Sequence, residues 1–195
     1  MKRKRDADLV KALLPDDTVK WRNKEGKLHR EDGPAKEYPT QQRWYRNGHL
    51  HRDDGPAIVE ADGTREWYRN GRLHRDDGPA VEHPDGFKAW YRRGKLHRED
   101  GPAREGPYGR FWFRNGKRHR EDGPAFELPD GTKEWYIDGE ELNPEQVAAF
   151  KQKKLDAIGD AISKGLDHTI KVKPPLKLKT KSGARKVDGD SGRAK

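Results

Sequence analysis

Five histidines each begin the same seven-residue block, His-Arg-acid-Asp-Gly-Pro-Ala, so every imidazole is closely followed by two carboxylates. A histidine beside carboxylates is a common set of metal ligands, and it is also a common general base with its orienting partner. The block is therefore the first candidate for a zinc site or a catalytic site. The five histidines are His29, His51, His74, His97 and His119.

The spacing of these blocks argues against both kinds of site. If each repeat adds two β-strands to a sheet, neighbouring blocks lie roughly 10 Å apart. Zinc binds nitrogen ligands at about 2 Å, so ligands from two blocks do not converge, and one block alone supplies too few. We therefore predict that each histidine bonds a neighbouring repeat's backbone or its own Asp. The sequence predicts no catalytic residue, metal, cofactor or small-molecule substrate.

Tryptophans recur with the same period as the blocks. Their steps are 23, 23, 23, 22 and 23 residues, and the sixth repeat breaks off before its His block. A constant period with a degenerate last unit is typical of stacked repeat arrays. We expect the tryptophans to form the apolar core between repeats. They are Trp21, Trp44, Trp67, Trp90, Trp112 and Trp135.

Two kinds of turn divide each repeat. Asn-Gly pairs such as Asn47-Gly48 predict a two-residue hairpin after the Trp-Tyr-Arg strand, and Asp-Gly pairs such as Asp62-Gly63 predict a second reversal before the next Trp. Two reversals give two strands per repeat. We interpret Asp-Gly-Pro-Ala as a bulge or kink within a strand, with its Gly in a conformation other residues resist. The expected fold is mainly β, an elongated antiparallel β-hairpin array.

The ends of the chain differ from the array. Residues 1–18 predict a basic segment and a short helix over Leu9–Leu14 that covers the first edge strand, and repeats fill 19–142. Asn143, Pro144 and Gln146 have capping-box spacing, so a capping helix is expected over 143–166. Residues 167–195 carry many basic residues and no aromatic, which predicts a disordered basic tail.

Composition places the net charge in that tail. Residues 1–20 carry 6 basic and 4 acidic side chains, 21–150 carry 24 and 25, and 151–195 carry 13 and 5, so the total of +9 divides into +2, −1 and +8. There is no Cys and no apolar run near the length of about 18 residues that spans a membrane. These features predict a soluble, intracellular, cytoplasmic protein. In a eukaryotic host, the basic residues 2–5 would suit a nuclear signal.

Arginines form two rows along the repeats, one after the aromatic pair and one after the His. Two functions are possible for these arginines. Rows of Arg interleaved with aromatics suit a single-stranded nucleic acid. Each His-Arg is followed at once by two acidic residues, however, and the array nets −1, so cross-strand ion pairs are the favoured interpretation.

The tail is the better candidate for nucleic acid, because extended basic segments bind phosphate polymers by counterion release. A merely solubilising role is the alternative, and a membrane surface is disfavoured because the tail has no aromatic anchor. The candidate contacts are Lys171, Lys173, Lys177, Lys179, Lys181, Arg185 and Lys186.

Trp-Tyr-Arg-Asn-Gly-Arg-Leu-His over residues 67–74, followed by Pro-Asp-Gly over 84–86, resembles the MORN repeat in a variant form. The resemblance covers roughly 19–142 and implies stacked β-hairpins that act in scaffolding, self-association and sometimes at membranes, with no reaction. Arg follows each His where a MORN repeat typically has Gly. The His-Arg-acid-Asp-Gly-Pro-Ala form is similar to repeats in uncharacterised bacterial, bacteriophage and giant-virus proteins.

Together these observations predict a non-enzymatic repeat scaffold that binds a protein partner or itself, with the basic tail as an auxiliary contact. The alternative is a nucleic-acid-binding protein that uses the C-terminal tail.

Overall fold

The computed structural model describes residues 9–164, which form 22 β-strands and one α-helix. The first twelve strands are β1 (Val10–Leu13), β2 (Val19–Arg22), β3 (Lys36–Tyr38), β4 (Gln41–Arg43), β5 (Tyr45–Arg46), β6 (His49–Leu50), β7 (Ile58–Glu60), β8 (Arg65–Glu66), β9 (Tyr68–Arg69), β10 (Arg72–Leu73), β11 (Val81–Glu82) and β12 (Lys88–Ala89). The rest are β13 (Tyr91–Arg92), β14 (Lys95–Leu96), β15 (Arg104–Gly106), β16 (Gly109–Phe111), β17 (Phe113–Arg114), β18 (Lys117–Arg118), β19 (Phe126–Glu127), β20 (Lys133–Glu134), β21 (Tyr136–Ile137), β22 (Glu140–Glu141) and the helix α1 (Pro144–Ser163).

Twelve of these strands form one antiparallel sheet, here called the main sheet. Its spatial order is β1-β2-β3-β4-β7-β8-β11-β12-β15-β16-β19-β20, so neighbours in the sheet follow each other along the chain. Each complete repeat contributes two strands. The predicted mainly β fold, built from repeated antiparallel hairpins and followed by a C-terminal helix, is confirmed.

The ten remaining strands pair as five two-stranded sheets, here called the small hairpins: β5/β6, β9/β10, β13/β14, β17/β18 and β21/β22. Asn47 and Gly48, at φ 48° and 84°, form the turn of the first small hairpin, as Asn-Gly pairs favour. The prediction of two continuous strands per repeat is therefore wrong in one respect. Each long strand is split, because Trp44 separates β4 from β5 and the segment 51–57 separates β6 from β7.

The small hairpins pack against one face of the main sheet. At the last one, the Tyr136 hydroxyl donates to Glu134 at 3.1 Å, and the Arg118 guanidinium lies 4.8 Å from the ring centres of Phe126 and Tyr136. Burial raises the pKa of the Tyr68 hydroxyl, and a hydrogen bond with Glu66 raises it further. Tyr68 and Tyr136 thus each join a small hairpin to the sheet.

The Asp-Gly turns connect main-sheet strands as predicted. Gly63, Gly86 and Gly131 have φ values of 95°, 89° and 91°. In the first of these turns, Asp62 Oδ1 accepts a hydrogen bond of 2.8 Å from the backbone of Thr64. The carboxylate and the glycine therefore both fix the reversal.

Residues 10–13 form strand β1 where the sequence predicted a helix over Leu9–Leu14. β1 pairs with β2 through four residue pairs, from Val10 opposite Arg22 to Leu13 opposite Val19. Asp17, at φ 60°, turns the chain after Pro15. An isolated helix this short is only marginally stable in water, whereas β2 offers a full ladder of backbone partners. The segment thus is itself the edge strand.

Alanines form the most buried positions of the array. The alanine that ends each Asp-Gly-Pro-Ala block is fully buried, while the six tryptophans are only half-buried. Neighbouring backbone lies directly beside these alanines. For example, the backbone N–H of Trp67 donates a 2.8 Å hydrogen bond to the carbonyl oxygen of Ala80. The expectation of a tryptophan core therefore needs correction. The five alanines are Ala35, Ala57, Ala80, Ala103 and Ala125.

The other face of the main sheet carries a ladder of alternating charge. Seven residues on successive strands lie opposite one another in register, and within the ladder every pair joins opposite charges. Opposite charges in direct cross-strand pairs stabilise a sheet. The ladder runs Arg65, Glu82, Lys88, Glu105, Arg110, Glu127 and Lys133.

Helix α1 begins as the sequence predicted. The Asn143 side chain accepts from the Gln146 backbone and the Gln146 side chain accepts from the Asn143 backbone, both at 2.9 Å, which is a capping box. The array and the helix up to Phe150 form one compact unit, and a second begins at Lys151. The predicted disordered tail and the nucleic-acid candidates Lys171–Lys186 lie outside the described residues. Within 9–164 no helix is long and apolar enough to cross a membrane.

Candidate functional site

Each His-Arg-acid-Asp-Gly-Pro-Ala block forms a loop, here called an arginine loop, over residues 30–35, 52–57, 75–80, 98–103 and 120–125. The first residue of each loop is an arginine whose guanidinium lies over the tryptophan of its own repeat. Arg75 Cζ is 4.1 Å from the ring centre of Trp67, and the other four distances run from 3.8 to 4.4 Å. The half-buried tryptophans are thus covered by cations in a cation–π arrangement.

The same guanidinium closes its own loop with hydrogen bonds. Arg75 donates from Nε to Asp77 at 3.0 Å, and from Nη1 to the carbonyl of Pro79 at 3.2 Å and to Glu82 at 3.0 Å. Arg30 and Arg120 make the equivalent three contacts. Because these donors are engaged within the repeat, this row of arginines is structural and does not point freely into solvent.

The loop glycine leaves room for the arginine side chain, and its backbone angle is not an unusual one. A Cβ added to Gly78 would lie 3.0 Å from Arg75 Cζ, and the loop glycines of the other four repeats meet their arginines at 2.7 to 3.0 Å. None of the five has a positive φ. The predicted bulge within a strand is therefore wrong, since residues 53–57 lie outside the strands and bend the chain around the guanidinium.

Each histidine of the block joins its repeat to the next. His74 Nδ1 accepts a hydrogen bond of 3.2 Å from the backbone N–H of Arg93, the first residue of the next hairpin turn. The donors to the other four histidines are the turn residues at the same position, at 3.1 to 3.2 Å: Asn47 to His29, Asn70 to His51, Asn115 to His97 and Asp138 to His119. A backbone N–H only donates, so Nδ1 is the acceptor in each of these hydrogen bonds.

The Nε2 atom faces the acid two residues later, and in His51 and His74 it also lies 2.9 Å from Nη1 of Arg46 and Arg69. His51 Nε2 lies 2.8 Å from Asp53, and His119 Nε2 lies 3.1 Å from Glu121. Hydrogen bonds from Arg46 and His51 hold the pKa of the Asp53 carboxyl below its usual range. For Glu121, His119 and then Arg114 lower the pKa in the same way. Both imidazole nitrogens are thus occupied, which leaves neither as a free base or metal ligand.

Open grooves lie between successive arginine loops. Three of them have volumes of about 390, 740 and 750 Å³, and each is bordered by two loops and the tryptophan between them: Trp44, Trp90 or Trp112. The residue types common to the three grooves are Arg, Asp, Glu, Gly, Trp and the His of the block. Within residues 9–164, no group of three or more His, Asp or Glu side chains could hold a metal ion.

The outer rim of the loops is a row of exposed carboxylates. Asp54, Asp77 and Asp100 each have 83% of the side chain exposed. Their regular recurrence gives the array one edge with evenly repeated negative charge. These acidic residues could be located from the sequence, but the exposed row that they form could not. The 23-residue period shows that the residues recur, and it does not show which side chains are exposed side by side.

Comparison with known proteins gives no match to any protein-family model and none to a curated protein. The resemblance to MORN repeats therefore depends on the repeated residues and their spacing.

A second surface was not found from the sequence. It comprises the tips of the small hairpins, where Arg69, Arg72, Arg92 and Arg93 surround a groove of about 590 Å³ with Asp76 as its only carboxylate. The near-neutral charge of the array concealed it, since acids and bases balance over residues 21–150 as a whole.

Proposed function

We propose that the chain is a non-enzymatic scaffold that binds a protein partner, or a second copy of itself, through the arginine loops. The observation that carries the proposal is the row of exposed carboxylates at the loop rim, including Asp54, Asp77 and Asp100. Repeated identical contacts suit a partner that engages several repeats at once, which gives avidity from individually weak contacts.

The internal chemistry of the repeats supports binding over catalysis. An active site needs an asymmetric set of nucleophile, base and orienting groups. Here the same set recurs, and its members are engaged with one another: Arg75 with Asp77 and Glu82, and His74 with Arg93 of the next repeat. The MORN resemblance implies the same kind of role, scaffolding and self-association.

The charge of the rim indicates the chemistry of the partner. Strand spacing places successive loops roughly 10 Å apart, so a basic helix or strand could meet more than one loop. The half-buried tryptophans below the rim add apolar area between the charges. We therefore expect a partner surface with spaced Lys or Arg residues, on another protein or on another copy of this chain.

The test compares the full chain with the triple variant Asp54→Asn, Asp77→Asn, Asp100→Asn. A matched control, Glu145→Gln, Asp156→Asn, Asp160→Asn, removes three carboxylates from helix α1, where all three are exposed. Light scattering after gel filtration and chemical crosslinking should show association for wild type and the control but weaker association for the loop variant. Only monomer, with no crosslinked protein partner, would refute the proposal.

A second candidate function is nucleic-acid binding through the tail. It is favoured by the charge of +8 over residues 151–195, which includes Lys171, Lys173 and Lys177. The test is the salt dependence of binding to DNA and RNA for the full chain and for a chain ending at Leu166. Loss of a steep salt slope on truncation would support the tail, because each lost phosphate contact lowers the slope by roughly one.

A further inference from the structure

The tips of the second, third and fourth small hairpins form a continuous basic surface, here called the tip row, made of Arg72, Arg92, Arg93, Lys95 and Lys117. All five side chains are exposed. Within residues 9–164, none of the five makes a side-chain ion pair or side-chain hydrogen bond. The tip row therefore presents charge that the protein does not neutralise itself.

Arg92 is the clearest departure from the pattern of its own repeats. Its counterparts pair with the acid seven residues later: Arg46 with Asp53 at 2.6 Å, Arg69 with Asp76 at 3.2 Å and Arg114 with Glu121 at 3.0 Å. The equivalent acid for Arg92 is Glu99, which instead lies 3.5 Å from His97 Nε2. Within residues 9–164 the guanidinium of Arg92 has no ion pair. Arg92 lines the hairpin groove and also the groove between the loops at 75–80 and 98–103, so an external anion can reach it.

Arg93 departs from the pattern in its backbone. It occupies the turn position at φ 52°, in the left-handed region, where other small hairpins have Asn47, Asn70, Asn115 or Asp138. Asn and Asp tolerate that conformation far better than a long side chain does. Keeping an arginine there costs stability, and strained residues of this kind are concentrated at functional sites.

The aliphatic parts of the Arg72 and Lys95 side chains pack on the next hairpin, which makes the tip row continuous from one hairpin to the next. The Cβ and Cγ of Arg72 lie 3.6 and 3.8 Å from the position a Cβ would take on Gly94, and Lys95 packs in the same way on Gly116. The row has two limits. His49 replaces the basic residue before Arg72, and the last small hairpin carries Asp138, Glu140 and Glu141.

We propose that the tip row binds the phosphodiester backbone of a nucleic acid. A line of unpaired Arg and Lys side chains, spaced by the repeat, matches a polymer with regularly placed phosphates. A membrane surface fits less well, because among the described residues the large exposed apolar side chains are Val10, Leu13, Tyr108, Leu155 and Ile162, none in a small hairpin.

The experiment uses full-length protein, so the tail contributes equally to every sample. Binding to a labelled oligonucleotide of about 16 nucleotides is measured by fluorescence anisotropy from about 50 to 200 mM NaCl. The test variant is Arg92→Gln, Arg93→Asn, which restores the asparagine of the other turns. The control, Lys133→Gln, Lys153→Gln, removes two exposed charges that are not part of the tip row.

The tip variant should bind more weakly and lower the salt slope by roughly two, while the control stays close to wild type. The tip variant should melt no lower than wild type, since Asn is favourable at the turn. Equal slopes and affinities for the two variants would overturn the proposal. It would also be overturned if the tip variant lost binding to vesicles containing phosphatidylserine but kept oligonucleotide binding.

Discussion

His74 accepts a 3.2 Å hydrogen bond at Nδ1 from the backbone N–H of Arg93, nineteen residues later in the next repeat. The same bond recurs at all five histidines of the repeated block. It joins consecutive repeats outside the main sheet, at the small hairpins. A residue type that suggests catalysis or metal binding thus serves to align one repeat with the next.

The loop glycine offers a direct test of the arginine packing. Gly78→Ala should lower the free energy of unfolding by about 1 to 3 kcal/mol, because its new Cβ displaces the Arg75 guanidinium from its position over Trp67. Urea unfolding followed by tryptophan fluorescence measures the change.

Gly159→Ala is the matched control, since a Cβ there meets nothing within 4 Å. It should raise helix stability by about 0.5 to 1 kcal/mol, read by far-ultraviolet circular dichroism. An unchanged free energy of unfolding in Gly78→Ala would contradict the described packing of Arg75 on Trp67.

The arginine itself should not be replaceable by lysine. Arg75→Lys keeps the charge but loses the planar group that stacks on Trp67 and the fork that reaches Asp77, Pro79 and Glu82. We expect a loss of about 1 kcal/mol in urea unfolding. Arg65→Lys, at an exposed position of the charge ladder, should change stability much less.

The charge ladder predicts a position-specific effect of charge reversal. Lys88 lies opposite Glu82 on one side and Glu105 on the other. Lys88→Glu should destabilise the sheet by roughly 1 kcal/mol through two like-charge pairs, and Lys88→Gln should cost less. Thermal unfolding at low and high salt separates the two effects, because salt should relieve the repulsion in Lys88→Glu.

Stability should fall in acid. Arg98 lowers the pKa of Asp100 from its ordinary value of 3.8, and Arg46 with His51 lowers that of Asp53. A carboxyl whose pKa is lower in the folded state contributes stability above its unfolded pKa, and loses it as the pH falls through the folded pKa. Urea midpoints should therefore decline below about pH 4.

The variant Asp54→Asn, Asp77→Asn, Asp100→Asn should show a shallower decline than wild type. Arginine hydrogen bonds lower the pKa of each of these three carboxyls in the folded protein. If the urea midpoint of the variant fell as steeply with pH as that of wild type, groups other than these three carboxyls would be responsible for the loss of stability in acid.

Much of the fold could be predicted because it depends on local signals repeated several times. The 23-residue period, the Asn-Gly and Asp-Gly turns and the capping box of Asn143 and Gln146 each have a local physical cause. Repetition strengthens such signals, since five copies must all be compatible with one packing arrangement.

The incorrect predictions concern positions where a contact with another strand or side chain decides the structure. Leu9–Leu14 has helical spacing, yet β2 provides the ladder that makes a strand of Val10–Leu13. The loop glycine seemed to need an unusual backbone angle, but it makes room for the arginine side chain. The tip row could not be predicted, because the missing partner of Arg92 is visible only from the pairing of its counterparts.

Urea unfolding of His74→Ala, together with a calorimetric zinc titration of wild type, decides whether the repeated block is structural. We expect a loss of about 1 to 3 kcal/mol, because the backbone N–H of Arg93 loses its acceptor and the buried His74 ring is removed, and we expect no heat of zinc binding. His74→Asn should recover part of the loss through its amide oxygen. Unchanged stability in His74→Ala, with loss of a bound metal or of partner binding, would contradict the structural role.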